Sequence, residues 1–176
     1  MRGVVVYESM FGNTHDLAAA IARGMAPGVD ARAVPVAEAT PELLAGADVL
    51  VVGGPTHAHG MTSEASRRSA PDYVEKSGGD LHLDPDHEGP GLREWFHRLP
   101  AEPVPAAAFD TRADMSALLS GRASKGIASR LEKRGCTLLV PPESFLVGKD
   151  HHLLDGELDR ALAWGATIAT YVGASV

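Results

Sequence analysis

A strand that runs into a short loop of hydroxyl and glycine residues, and out again as a helix, occupies the first two dozen residues. Gly3-Val4-Val5-Val6-Tyr7 is apolar and β-branched, which predicts a short buried strand. Glu8-Ser9-Met10-Phe11-Gly12-Asn13-Thr14 follows as a tight polar loop. Over 16–25 the period turns helical, with Leu17, Ala20, Ile21, Gly24 and Met25 on one face. This order constrains what the chain can be. The first turn of a helix leaves N–H groups unpaired and carries partial positive charge, so the loop is a cradle for an anion. Gly12 permits close backbone approach or a positive φ, and Ser9, Asn13 and Thr14 can donate to phosphate oxygens. Two other nucleotide loops are excluded, because neither Gly-Lys-Ser/Thr at the helix start nor Gly-x-Gly-x-x-Gly occurs here. The plainer alternative is a βα turn in which Ser and Thr only cap the helix.

Ser9-Met10-Phe11-Gly12-Asn13-Thr14 resembles the phosphate loop of flavodoxins, Ser/Thr-x-x-Gly-x-Thr, which holds the phosphate of FMN without a metal. The resemblance implies an α/β fold of three layers. A five-stranded parallel sheet of order 2-1-3-4-5 carries helices on both faces. The rest of the chain follows that plan, since strand and helix patterns alternate along it. A second strand is expected over 29–36, and a short helix from Pro41 capped by Thr40. Residues 47–54 form a third strand apolar enough to be central, followed by a loop, Pro55-Thr56-His57-Ala58-His59-Gly60. In a doubly wound sheet, ligands sit beyond the carboxyl ends of the strands where the order reverses. Gly53-Gly54-Pro55-Thr56-His57 then lands beside the cradle, as a Gly-x-Pro-Thr segment does in flavodoxin-like proteins.

Residues 61–90 lose periodicity and are punctuated by Gly78-Gly79, Pro85 and Gly89-Pro90-Gly91. Loops this long inside a domain are uncommon and are usually functional. This one is read as an insertion after the third strand that determines substrate or partner, with a short helix over 67–76 limited by Pro71. His57, His59, His82, Asp84, Asp86 and His87 cluster around it, but their spacing matches no familiar zinc pattern. They are read as solvated side chains, and no metal is expected. Helical spacing returns over 91–99, with Leu92, Trp95, Phe96 and Leu99 facing the core. A fourth strand over 104–109 ends in the loop Asp110-Thr111-Arg112. A helix over 121–134, capped by Ser116 or Ser120, turns Ile127 and Leu131 inward. A last strand over 136–140, interrupted by Pro141-Pro142, resumes at Phe145. A closing helix is defined by Leu158, Ala161, Leu162, Gly165, Ile168 and Ala169.

A length of 176 residues suits one domain spanning 1–176. No apolar run is long enough to span a bilayer, and the N-terminus has no signal-peptide pattern. The single cysteine, Cys136, excludes an internal disulfide and any Cys-x-x-Cys site, so cytoplasmic residence is the expectation. A formal net charge of −7 argues against nucleic acid as partner. The basic run over 122–134 is read as a solvated helix face.

The resemblance implies a site. Ser9, Met10, Phe11, Gly12, Asn13 and Thr14 hold the phosphate of FMN. Pro55, Thr56, His57 and His59 border one side of the flavin ring, and Asp110, Thr111 and Arg112 the other. No catalytic residue is assigned. The chain departs from electron-carrying flavodoxins in lacking aromatic residues in these two flanking loops. It also places Arg112 where carboxylates usually surround the ring, which favours the reduced anion and raises the potential; the alternative is a surface ion pair of Arg112 with Asp110 or Asp114. Three functions follow from this reading. The first is an FMN-binding electron-transfer protein that docks on a redox partner protein. The second is an FMN-dependent oxidoreductase acting between NAD(P)H and a small quinone. The third is a cofactor-free interaction module on the same fold. Electron donor, acceptor and oligomeric state are not legible.

Overall fold

The computed structural model describes residues 1–26, 28–87, 89–101 and 103–174. β1 (Arg2–Tyr7) leads into α1 (Asn13–Met25), β2 (Asp30–Pro35) and α2 (Pro41–Leu44). β3 (Val49–His57) turns back as β4 (Gly60–Met61), then come α3 (Glu64–Arg68), α4 (Ala70–Lys76) and α5 (Leu92–Arg98). The second half runs β5 (Pro105–Ala113), α6 (Ala117–Ser120), α7 (Ala123–Lys133), β6 (Thr137–Leu138), β7 (Glu143–Val147) and α8 (Glu157–Ala174). The sheet reads β2-β1-β3-β5, with β6 and β7 both paired to the outer edge of β5. All pairs are parallel except the β3–β4 hairpin. This is the expected 2-1-3-4-5 arrangement with its fifth strand in two pieces, because Pro141 and Pro142 cannot donate to the ladder.

Side chains alternate across the sheet and divide the core in two. Val4, Val6, Leu50, Val52, Ala106 and Ala108 pack against α5 and α7, where Trp95, Phe96, Ile127 and Leu131 are buried. Val5, Tyr7, Val49, Val51, Ala107 and Phe109 face α1 and α8, against Leu17, Ile21, Ala161 and Ile168. The buried Trp95 indole donates to the Ala39 carbonyl at 2.7 Å, so this aromatic pair belongs to the core, as its helical spacing implied. Helices α1 and α8 cross at two glycines. A Cβ on Gly24 would meet the Leu162 carbonyl, and one on Gly165 the Ile21 carbonyl. Leu158 and Leu162, expected on the inward face, are instead 41% and 43% exposed, since the glycines bring the backbones too close for leucines between them.

Several boundaries move. Strand β3 continues through Pro55, Thr56 and His57, so the expected loop is reduced to a two-residue hairpin turn at Ala58 and His59. Both lie at positive φ, 46° and 71°, as a type I′ turn demands, without the Asn-Gly that would relax it. Likewise β5 extends past Phe109 to Ala113, which puts Asp110, Thr111 and Arg112 in a strand paired with both β3 and β7. Residues 61–90 are not structureless. Pro71 sits in the first turn of α4, where a missing N–H costs nothing, and Ser63 with Ser66 caps α3. Within this range, Glu88 lies outside the described residues.

The α7 cap comes from afar. Ser116 caps α6 rather than α7, while Thr56 Oγ1 accepts from Ala123 N at 3.0 Å and Asp110 Oδ2 from Ser124 N at 2.7 Å. Of the basic run, Arg122 donates to Ser144 and Pro142, and Arg134 to the Phe96 carbonyl, so these two arginines are tied into the fold.

Two substitutions test this packing. Gly165→Ala forces α8 away from α1 and is expected to lower unfolding free energy by about 1–3 kcal/mol in urea denaturation; an unchanged midpoint contradicts the close crossing. Asp110→Ala removes the α7 cap and is expected to cost roughly 1–2 kcal/mol by the same measurement, whereas full stability would assign the carboxylate elsewhere.

Candidate functional site

The carboxyl ends of β1, β3, β5 and β7 open on one cavity of about 360 Å³. The β1–α1 turn forms one wall through Ser9, Met10, Phe11, Asn13 and Thr14. Gly12 is the N-cap of α1, at φ 90°, and no side chain caps the helix there. That conformation suits glycine. Asp16 N still donates to the Gly12 carbonyl at 2.9 Å, so the helix begins in register while its first amides keep no side-chain acceptor. The turn is held open by its own residues. Ser9 Oγ accepts from Gly12 N at 3.1 Å, and Asn13 Nδ2 donates to the His151 carbonyl at 2.6 Å. Thr14, buried, shares a hydrogen bond of 3.3 Å with Thr111 of β5. The hydroxyls therefore shape the turn and join it to its neighbours; they do not act as the helix cap.

The two flanking segments come from central strands. Pro55, Thr56 and His57 of β3 line one side, and Thr111 and Arg112 of β5 another. Three expected residues stand outside the lining: Gly12, His59 and Asp110. Gly12 acts through its backbone. His59 sits in the hairpin turn against Gly121, where a Cβ would strike the His59 backbone. Asp110 is fully buried beneath α7. The Arg112 guanidinium holds the following turn, Nη1 donating to Met115 O at 2.6 Å and Ala113 O at 3.3 Å. Its Nε is buried and lacks a partner among the described residues.

Other lining residues were not foreseen. Ser66 comes from α3, Ala70 and Tyr73 from α4, Met115 from the turn after β5, and Lys149 and His151 from the β7–α8 turn. The last two could have been found from the rule that ligands lie past strand carboxyl ends, applied to the final strand as well as to the first and third. Nothing in the sequence over 61–90 pointed to Tyr73.

The segment over 61–90 is fastened to the β1–α1 unit by side chains. Glu8, buried at the end of β1, accepts from Leu92 N at 2.8 Å and from Thr62 Oγ1, and lies 3.9 Å from Arg67. Arg67 also pairs with Glu94 at 3.0 Å. Asp84 is not solvated but buried, bonded to His15 at 3.2 Å, while its N–H donates to Met10 O at 2.8 Å. Tyr7 stacks on His15 and donates to Asp86 at 2.8 Å. Burial pushes the Tyr7 phenol above its ordinary range, and the hydrogen bond to Asp86 and the charges of Asp86, Asp84 and Glu38 push it further. His15, Asp84 and Asp86 bring ligand-type atoms within 4.8 Å of one another, although His57, His59, His82 and His87 do not join them. Their mutual bonds account for the grouping as a clasp.

Comparison with known proteins bears on the fold. The flavodoxin family model matches residues 5–83. Among curated proteins, no sequence matches. A flavodoxin from the domain Archaea superposes with a TM-score of 0.66 at 21% identity, over 98% of this chain and 99% of that one. Flavodoxin 1 from Bacillus cereus gives 0.67 at 16% identity, covering 97% and 98%. A flavodoxin, WrbA-like protein from Agrobacterium tumefaciens gives 0.60 at 19% identity, covering 98% of each. At such identities the likeness is one of fold. Among the described residues, no helix is long and apolar enough to cross a membrane. The chain is flavodoxin-like, by sequence across residues 5–83 and by fold across its length.

Proposed function

We propose that the cavity holds FMN and that the chain is a flavodoxin-type electron carrier, working in the cytoplasm with a redox partner protein. The observation that supports this best is the start of α1, whose amides open on the cavity with no side-chain cap of their own. Such a helix start favours an anion, and the cavity beside it is of ordinary size for a small ligand. The donors present suit a phosphomonoester. Ser9, Asn13 and Thr14, with the main chain of Met10, Phe11 and Gly12, would hold it. Pro55, Thr56 and His57 would border one side of the ring, and Thr111 and Arg112 the other. His59 and Asp110 support these walls from behind.

A bound flavin supplies reversible reduction by one or two electrons. The chain's residues bind it, orient it and set the charge around it. Orientation comes from β3 and β5, paired from Leu50 with Ala106 through Pro55 with Thr111, so the two walls keep a fixed spacing. Met10, Pro55 and Met115 contribute apolar surface against water. Arg112 adds positive charge at one wall, which favours negative charge gained on reduction and raises the potential.

Titration of the purified protein with FMN, followed by flavin fluorescence and absorption, tests the reading. Saturable one-to-one quenching is expected, and Ser9→Ala with Thr14→Ala should weaken it roughly tenfold or more. Unchanged affinity in that double variant would remove the cradle assignment. Photoreduction of the complex separates the functions. A carrier is reduced in two resolved one-electron stages, while a single two-electron stage with NAD(P)H turnover marks an oxidoreductase.

A further inference from the structure

The part of the cavity nearest the β1–α1 turn carries groups from outside both loops of the proposed FMN site. After β7 the chain turns through Gly148, Lys149, Asp150 and His151. Gly148 N donates to His152 O at 2.8 Å, and His151 N to Gly148 O at 3.1 Å. His151 lies at φ 64°, a left-handed conformation that strains a non-glycine residue. The strain persists because the surroundings fix it. Asn13 holds the His151 carbonyl, and the imidazole packs against Phe11 at 5.9 Å and Tyr73 at 6.0 Å between ring centroids. Phe11 and Tyr73 meet at 6.3 Å, so the three rings form one cluster at the cradle's edge. All three line the cavity, as does the exposed Lys149.

Charge makes this turn consequential. Asp84 Oδ2 lies 4.0 Å from where a Cβ on Gly12 would stand, so a buried carboxylate adjoins the loop meant for a phosphate. It is bonded to His15 at 3.2 Å. Of the arginine and lysine side chains lining the cavity, Arg112 is bonded to the Met115 turn, whereas Lys149 joins no ion pair among the described residues. We infer that Lys149 and His151, with the Tyr73 hydroxyl from α4, clamp the phosphoryl end of the ligand. The phosphate is then gripped by a cation and side-chain donors in addition to main-chain amides. This rests on the flavin reading of the cavity and adds to it a set of residues that separates a phosphomonoester from its uncharged alcohol.

The test is to titrate the wild-type chain, Lys149→Gln and His151→Gly with FMN and with riboflavin, at low and at 0.5 M salt on the order of a Debye length of a few Å. Glycine is chosen at 151 because it keeps the left-handed turn and removes the ring. Lys149→Gln is expected to weaken FMN roughly tenfold at low salt, to leave riboflavin unchanged, and to flatten the salt dependence of FMN binding. His151→Gly is expected to shift FMN in the same direction with riboflavin again unmoved. Variants that keep wild-type FMN affinity and salt dependence overturn the clamp alone, as does parallel weakening of FMN and riboflavin, which marks a structural role. A wild-type chain that binds neither flavin overturns the proposed cofactor and the clamp together.

Discussion

Helix α1 begins on a glycine in the left-handed region and takes no side chain as its cap. Its first amides therefore need an acceptor from outside the helix, and unmet donors are costly once water is displaced. The neighbouring contacts keep that start open. Thr14 is tied to Thr111 on β5, Asn13 to the β7–α8 turn, and Ser9 to the Gly12 amide. These bonds fix the shape of the turn and leave the Ser9 hydroxyl hydrogen and the second Asn13 amide hydrogen to donate to an anion. The sheet places β1 between β2 and β3, so the same point is where the strand order reverses and a crevice opens.

The segment over 61–90 serves the same constraint. Glu8 ends β1, and its buried carboxylate gathers Thr62, Arg67 and the Leu92 amide. A Cβ on Gly91 would meet the Arg67 guanidinium and the Glu8 carboxylate, so a side chain there would displace this pair. A buried charge with one partner removed is left expensively unpaired, so this knot holds α3 and α5 to the cradle or leaves both loose. Farther along, Asp84 reaches His15 on α1, and Asp86 reaches Tyr7 at the end of β1. The segment that interrupts the regular alternation of strand and helix is thus a clasp around the β1–α1 unit. Through Tyr73 it touches the cavity near Phe11, at the edge of the cradle.

Period and turn chemistry made much of this legible from sequence. The valines of β1, the Thr40–Pro41 cap, the inward Trp95 and Phe96, and the Pro141-Pro142 break all express local rules, and the structure follows them. What was hidden depends on partners far away in the chain. Asp110 was placed at a ligand because it follows a strand, but the bare N-terminus of α7 claims it. Asp84 looked solvated in a polar stretch, and only the fold brings His15 to it. Pro71 suggested a helix break, whereas a new helix begins there. Lys149 and His151 follow the last strand, where no motif marks them.

FMN binding in this cavity requires an anion at the start of α1. Backbone amide resonances recorded during addition of FMN test that directly. The largest shifts are expected on residues 10–14, with a second group at 55–57, 111–113 and 148–151, all saturating together. Shifts confined to other faces of the molecule, or none at 10–14 at saturation, would contradict it.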